Sequence, residues 1–206
     1  MRRPRGRPRA FDRDEALAAA AQVFWQQGYE GASIADLTQA MGITAQSLYA
    51  AFSSKAALYH EALGWYQAQV GASTRHEFGE EPSVFTAFER LLEGRARQFC
   101  QHGRPSGCMI SSAVLYCAAE TQPIAQHLAS LRTGALVSLK ARLERGIAEG
   151  ELRADTDAAS LARFVATVIQ GLSVQARDGA SEDDLLAVAR IAAAELARHR
   201  VDPPPG

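Results

Sequence analysis

Residues 33 to 55 read SIADLTQAMGITAQSLYAAFSSK, and this stretch predicts two short helices joined by a tight turn. Ser33, with Asp36 three residues later, is a helix-start pattern, and Gly42 suits the left-handed backbone of a helix end. Thr44 can cap the second helix through its hydroxyl group. Apolar residues recur at helical spacing along both helices: Ile34, Leu37, Met41, Leu48 and Phe52. The stretch is therefore predicted to form a helix-turn-helix.

The second of these helices has an outward side made of small and polar residues. Such a side fits into a DNA major groove, which is about 12 Å wide. Gln46 can form paired hydrogen bonds with adenine, Ser47 can donate or accept one, and Ala45 can contact a thymine methyl group. Thr44 and Tyr49 are better placed for phosphate oxygens, which position a protein without reading the base sequence. These residue types in this order predict a recognition helix.

Two further residues belong to the predicted DNA-binding set. Ser33 stands at the start of the first helix of the motif, and Lys55 stands at the start of the helix that follows it. A helix N-terminus favours anions, and the charge of Lys55 adds to that preference for phosphate. Helix pairs with a central glycine also occur in all-α proteins that do not bind DNA, so the spacing alone leaves the function open.

The run GITAQSLYAAFSSKAAL, residues 42 to 58, resembles the signature of the tetracycline-repressor (TetR) family of bacterial regulators. Upstream, Ala16-Leu17, Phe24 and the Gln27-Gly28-Tyr29 turn are similar to the first helix of that family. The resemblance covers residues 11 to 63, and beyond them it is one of architecture. It implies an all-α protein with an N-terminal three-helix helix-turn-helix domain and a C-terminal helical domain for ligand binding and dimerisation.

Length and composition favour one small and one medium helical domain. The chain has 206 residues, of which 47% are hydrophobic and 7% aromatic, and a net charge of −1 argues against a protein that coats nucleic acid. Three cysteines at irregular spacing do not suggest a disulfide framework. We therefore expect a reducing cytoplasm, which the family resemblance implies is bacterial, with the protein on the nucleoid when it binds DNA. No apolar run is long enough to span a bilayer, and the arginine-rich start lacks the apolar core of a secretory signal.

The N-terminus carries a concentration of positive charge. The first 13 residues hold six arginines and one aspartate, and residues 1–10 are predicted to be a flexible basic arm. Arg5-Gly6-Arg7-Pro8 resembles an AT-hook core, in which Arg5 and Arg7 would enter a narrow A/T-rich minor groove. The alternative is a disordered tail that only raises affinity, and the sequence leaves both open.

Helical periodicity continues through the rest of the chain. A capping-box variant at Asp12 and Glu15 starts the first helix, and Trp25 and Tyr29 are expected at the edge of the small domain. The predicted domains are a DNA-binding domain (11–63, motif 33–52), a second helical domain (64–200) and a loose tail (201–206). The second domain is predicted to hold helices from 85 to about 102, and over 123–150, 157–177 and 182–199.

The last two helices are the predicted dimer surface. Each has an apolar stripe together with small residues, which allow helices to approach closely. Two copies related by a two-fold axis would read a palindrome, and the family resemblance likewise implies a homodimer. The alternative is that these stripes face the core of their own chain. The predicted interface residues are Leu161, Val165, Val168, Leu172, Leu185, Ala189, Ala192 and Leu196.

The resemblance also implies a small-molecule pocket among the middle helices. The aromatic and methionine content of this region favours an apolar effector. For every lining residue the alternative is a place in the core, since aromatic stripes usually fill cores. The predicted lining residues are Trp65, Phe88, Phe99, Cys108, Met109, Ser112, Tyr116, Leu131, Phe164 and Val168.

Cys108 carries a further hypothesis. It follows a turn and lies close in sequence to Arg104, a setting that could lower the pKa of a thiol and make it reactive. A regulator switched by oxidants or electrophiles at Cys108 is therefore an alternative, against the simpler role of a small buried residue. The five histidines show no paired spacing, so we expect no metal site and no cofactor.

Three classes of function compete. A DNA-binding transcriptional regulator is favoured, in the form of a homodimeric repressor released from a palindromic operator by a small apolar effector. An enzyme is disfavoured because the sequence shows no nucleophile with a matched base, no phosphate-binding glycine loop and no metal triad. A nucleoid-type binder that covers A/T-rich DNA without an effector is the third class.

Overall fold

The computed structural model describes residues 11–70, 78–111 and 119–201. The chain divides into two compact units, Met1–Tyr66 and Gln67–Gly206, so the division falls three residues after the predicted domain boundary. The fold is all-α, as predicted. Within the described ranges, the β-type pairing is limited to one isolated bridge between Leu152 and Arg200, and no helix there is long and apolar enough to cross a membrane.

The first unit is built from four helices: α1 (Arg13–Gly31), α2 (Ile34–Met41), α3 (Ala45–Phe52) and α4 (Lys55–Val70), the last of which continues past the unit boundary. Each buried side chain of leucine or phenylalanine size contributes about 1.5–3 kcal/mol to folding. The largest fully buried side chains of this unit are Phe24, Trp25, Leu37, Leu48, Phe52, Leu58, Tyr59 and Leu63.

The C-terminal part of α1 contains a turn at Gly28, and it buries Trp25, which was predicted at the edge of the domain. The helix is interrupted at Gly28, whose φ of +74° is readily adopted only by glycine. Trp25 is 1% exposed, and its ring meets that of Tyr66 edge-on with centroids 4.8 Å apart. The prediction that Trp25 lies at the edge of the domain is therefore wrong. The side of α1 that carries Trp25 is covered by α4, which the local pattern of α1 could not indicate.

The second unit contains α5 (Val84–Phe99), α6 (Gln122–Ala148), α7 (Ala158–Arg177) and α8 (Glu182–Ala197), with a 3-10 turn at Ala119–Thr121 before α6. α5 packs mainly against α8 and α6 against α7, while α7 also contacts α5 and α8. Apolar side chains from all four helices fill the core between them: Phe88, Leu92, Phe99, Leu128, Leu143, Val165 and Leu185.

A buried arginine fixes the start of α5. Arg142 on α6 is 5% exposed, and its Nη2 donates hydrogen bonds to the carbonyl oxygens of Glu81 (3.0 Å) and Pro82 (2.9 Å). The carboxylate of Glu151, 3.8 Å from Arg142, accepts a hydrogen bond from the backbone N–H of Val84. Burial lowers the pKa of Arg142, and the nearby cation of Arg145 lowers it further. The apolar spacing of α6 had not indicated this residue as part of the interior.

The loop after α5 is anchored on α7 through a glycine. Gly107 has a φ of +76°, and a Cβ atom there would lie 2.6 Å from the carbonyl oxygen of Ser173. The backbone N–H of the next residue, Cys108, donates a 2.8 Å hydrogen bond to Ser173 Oγ. The loop therefore approaches α7 more closely than any residue with a side chain would permit.

A pair of matched glycine substitutions tests this close approach. Gly103 has a similar φ of +79°, but no atom lies within 4 Å of the position a Cβ would take. Gly103→Ala should lower the free energy of unfolding by about 1–2 kcal/mol through backbone strain alone. Gly107→Ala should cost about 1–3 kcal/mol more, because its Cβ also overpacks against Ser173. Urea denaturation measures both values, and equal losses would contradict the account.

Candidate DNA-binding site

The site begins with the hydrogen bonds that start α2. Ser33 Oγ accepts a hydrogen bond from the N–H of Asp36 (3.1 Å), and the Asp36 carboxylate accepts bonds from the N–H (3.0 Å) and the hydroxyl (2.6 Å) of Ser33. These bonds lower the pKa of Asp36. The predicted capping pattern is confirmed as a complete capping box. Ser33 lies exposed at the N-terminal end of α2.

The turn between α2 and α3 follows the predicted chemistry. Gly42 adopts the left-handed conformation (φ +64°, ψ +30°), and its N–H donates to Gln39 O. Thr44 Oγ1 accepts a 3.2 Å hydrogen bond from the N–H of Ser47 and donates a 3.0 Å hydrogen bond to Ser47 Oγ. The turn between α2 and α3 thus takes three residues, and α3 begins at Ala45 with its cap in place.

Burial on one side of α3 determines which residues it presents on the other. Leu48 and Phe52 are buried in the core of the first unit. Ala45 and Gln46 are exposed, and Tyr49 retains 48% of its surface. Ser47 is half-buried, with its hydroxyl held by Thr44. A short helix with one apolar side and an outward polar side is what major-groove recognition requires.

An open cleft of about 490 Å³ lies beside this helix. Among its lining residues, Thr38 and Gln39 on α2 were not predicted from the sequence. The Thr38 hydroxyl already donates to Ile34 O at 2.8 Å, whereas Gln39 is exposed. Gln39 and Thr38 lie three and four residues before Gly42, on the helix that precedes the turn. This spacing is the signal that could have identified them. The lining residues are Phe11, Ala35, Thr38, Gln39, Gly42, Ile43, Thr44 and Ser47.

The predicted cationic residues occupy different settings. Lys55 begins α4, and its ammonium lies 4.5 Å from the ring centroid of Tyr29. Burial lowers the pKa of Lys55, and the charge of Glu30 partly offsets this effect. The predicted arm residues Arg5 and Arg7 lie outside the described residues.

The predicted effector residues do not share one environment. Phe88, Phe99, Cys108 and Met109 are buried in the second unit, while Leu131 and Val168 are half-buried there. Phe164 is 38% exposed, Trp65 is half-buried and belongs to the first unit, and Ser112 and Tyr116 fall outside the described ranges. The pocket therefore remains a prediction.

The environments of the two described cysteines, Cys100 and Cys108, do not favour the redox hypothesis. Cys108 is 8% exposed, so an oxidant or electrophile has little access to its thiol, even though the N–H groups of Ile110 and Ser111, each 3.4 Å from Sγ, would stabilise a thiolate. The pKa of the half-buried Cys100 is raised by burial and by the charge of Glu182, which disfavours a reactive thiolate. Across the three described ranges, no group of three His, Cys, Asp or Glu residues is arranged to hold a metal ion.

The predicted dimer stripe requires a correction. All of its members except the half-buried Val168 are buried in the core of their own chain, so they are not available to a partner: Leu161, Val165, Leu172, Leu185, Ala189, Ala192 and Leu196. The large apolar residues that α7 and α8 expose lie outside this stripe, namely Phe164, Val174, Val188 and Ile191.

A capped helix-turn-helix in a small helical unit, followed by a larger helical unit, is the architecture of a DNA-binding regulator. The family model of the bacterial regulatory proteins of the tetR family matches residues 16–62. A second model, the tetracyclin repressor-like C-terminal domain, matches residues 87–192. The chain belongs to the tetR family.

Individual relatives agree with this assignment over nearly their whole length. The HTH-type transcriptional repressor ComR of Escherichia coli is 36% identical over 192 residues, which cover 92% of this chain and 90% of ComR. The repressor BdcR of the same organism is 30% identical over 187 residues, covering 91% and 90%. The chain is accordingly a transcriptional regulator and not an enzyme.

A solved structure in complex with DNA resembles this chain closely. It contains a cysteine mutant of the TetR family regulator CifR with 26-base-pair operator DNA. The two chains superpose with a TM-score of 0.89 at 44% identity, over 92% of this chain and 98% of that one.

Proposed function

We propose that the chain is a homodimeric repressor that binds a palindromic operator through α3. The observation that carries the proposal is the presentation of Gln46, with Ala45 and Tyr49, on the solvent side of a helix capped at Thr44. The names of ComR and BdcR as repressors and the operator DNA bound by CifR support it.

Each predicted contact has a distinct role in this proposal. Gln46 pairs with the N6 and N7 atoms of an adenine, and Ala45 contacts a thymine methyl group. Ser47 shares its hydroxyl between Thr44 and a base edge. The phosphate contacts, which fix the register without reading sequence, are assigned to Ser33, Thr44, Tyr49 and Lys55, with Arg5 and Arg7 reaching along the DNA from the arm.

Dimerisation follows from the small footprint of one recognition helix. A single helix-turn-helix reads few base pairs, and two copies joined by a two-fold axis read two half-sites about one helical turn, or a multiple of it, apart. The outward sides of α7 and α8 supply the apolar surface for that contact. On α7, Phe164, Gly171 and Val174 recur at helical spacing, and on α8, Val188 and Ile191 do the same.

Release from DNA by a small apolar molecule completes the proposal. Such a molecule must bind the DNA-incompetent state more tightly than the competent one, because only that difference in affinity shifts the population. The aromatic and methionine content of the second unit, which includes Phe88, Phe99 and Met109, is the feature that favours an apolar effector there.

Substitution of the recognition residues tests the DNA-binding proposal. The probe is the duplex that the wild-type protein selects from a pool of random sequences. Gln46→Ala should weaken binding to it by about ten- to a hundredfold, because one bidentate base contact is lost. The salt dependence of binding should not change, since no phosphate contact is removed.

The matched control is Gln26→Ala, the same change at an exposed position on α1. It should leave affinity at the wild-type level in the same fluorescence anisotropy assay. Failure to select any duplex, or equal binding by Gln46→Ala and wild type, would refute the proposal.

A charge placed on the outward side of α8 tests the dimer surface. Ile191 is 71% exposed, and Ile191→Glu should convert a dimer into monomers because it buries a carboxylate in an apolar contact. Light scattering coupled to gel filtration measures the mass. The control Val137→Glu alters an apolar residue on α6 that is 61% exposed and is not part of the proposed surface, and it should remain dimeric. A dimer that persists in Ile191→Glu would place the interface elsewhere.

A further inference from the structure

The C-terminal end of the recognition helix receives its positive charge from another helix. The last carbonyl groups of a helix lack partners within it, and a cation there is favourable. α3 has no basic residue in its own last turn. Arg13, the first residue of α1, lies at that position instead, with Nη2 3.5 Å from the carbonyl oxygen of Ala51.

Arg13 also connects the end of α3 to α4. Its Nη2 is 2.8 Å from both carboxylate oxygens of Glu61, and its guanidinium lies 4.4 Å from the centroid of the Phe52 ring. The Arg13 and Glu61 side chains are 28% and 39% exposed, so the pair is partly shielded from solvent. A planar guanidinium can stack on a ring and bind a carboxylate simultaneously, which an ammonium group does less well.

The segment that follows α3 needs such support. Ser53 has a φ of +66° and a ψ of −43°, and it is the one residue other than glycine with a positive φ in the described ranges. A backbone in this region persists only where its surroundings hold it. α3 itself has eight residues, too few to be stable without tertiary contacts. The contacts of Arg13 lie immediately before the strained residue.

We propose that Arg13 is a positioning residue for DNA binding. It locks the C-terminal end of α3 against α4, so that Gln46 and Ser47 are presented in a fixed orientation before DNA arrives. Arg13 does not itself contact a phosphate. The inference rests on the proposed function of α3 as the recognition helix, and it adds a specific support for the rigidity of that helix.

The signs of the two charges separate this role from simple attraction to DNA. Arg13→Gln removes a positive charge from the first unit, whereas Glu61→Gln removes a negative charge from it. If the charges acted only through their attraction to or repulsion from phosphates, the first substitution would weaken binding and the second would strengthen it. Either substitution breaks the contact between Arg13 and Glu61. A positioning role therefore requires both substitutions to weaken binding.

The experiment measures binding of each variant to the duplex selected by the wild-type protein, at several salt concentrations. We expect Arg13→Gln and Glu61→Gln each to weaken binding about tenfold, the size of effect typical of a lost charge-assisted hydrogen bond. The double variant should be no weaker than Arg13→Gln alone, because the Arg13–Glu61 contact is already lost in that single variant. The slope of log Kd against log salt should stay at the wild-type value.

Glu15→Gln serves as the matched control, since it removes a negative charge from an exposed position on α1. It should bind at least as tightly as wild type. Circular dichroism at the assay temperature establishes that each variant is folded. Arg13→Lys, which keeps the charge but loses the planar guanidinium over the Phe52 ring, replaces Arg13→Gln if that variant unfolds, and it should also bind more weakly than wild type.

Two results would overturn the inference. One is tighter binding by Glu61→Gln, and the other is a salt slope reduced by about one in Arg13→Gln, the sign of a lost phosphate contact. Failure of the wild-type protein to select any duplex would instead overturn the proposed function, so the two failures are distinguishable.

Discussion

The hydrogen bonds that start α2 and α3 determine what this protein can present to DNA. The Ser33–Asp36 box and the Thr44 cap define where each short helix begins, and the left-handed Gly42 sets the direction between them. With these in place, Leu48 and Phe52 can be buried only if Gln46 faces outward. The proposed recognition surface is thus a consequence of local backbone chemistry combined with burial on one side of a two-turn helix.

Those features were predictable from the sequence because they are local. A capping box, a glycine turn and a four-residue apolar spacing all involve residues within a few positions of one another. The contacts of Arg13 and Arg142 were not predictable, since they join residues about 40 to 60 positions apart and carry no periodic signal. Trp25 was misplaced for the same reason, because its burial depends on α4.

The dimer surface illustrates a different limit. A helix that packs against its own core on one side and a partner on the other is apolar on both sides, and periodicity does not say which side faces which. The apolar stripe with more residues on α7 and α8, which includes Val165 and Ala189, fills the core. The smaller set of apolar residues, which includes Phe164 and Ile191, faces solvent, and it is the surface that we propose for a partner. Only the packing of α5 and α6 against these helices separates the two.

Methylation protection of the selected duplex tests the central claim most directly. Dimethyl sulfate modifies guanine N7 in the major groove and adenine N3 in the minor groove, so it reports which groove the protein occupies. If two copies of α3 enter successive major grooves, guanine N7 should be protected in two short segments about one helical turn, or a multiple of it, apart. Unchanged N7 reactivity, or protection of adenine N3 spread along A/T-rich DNA, would contradict the account.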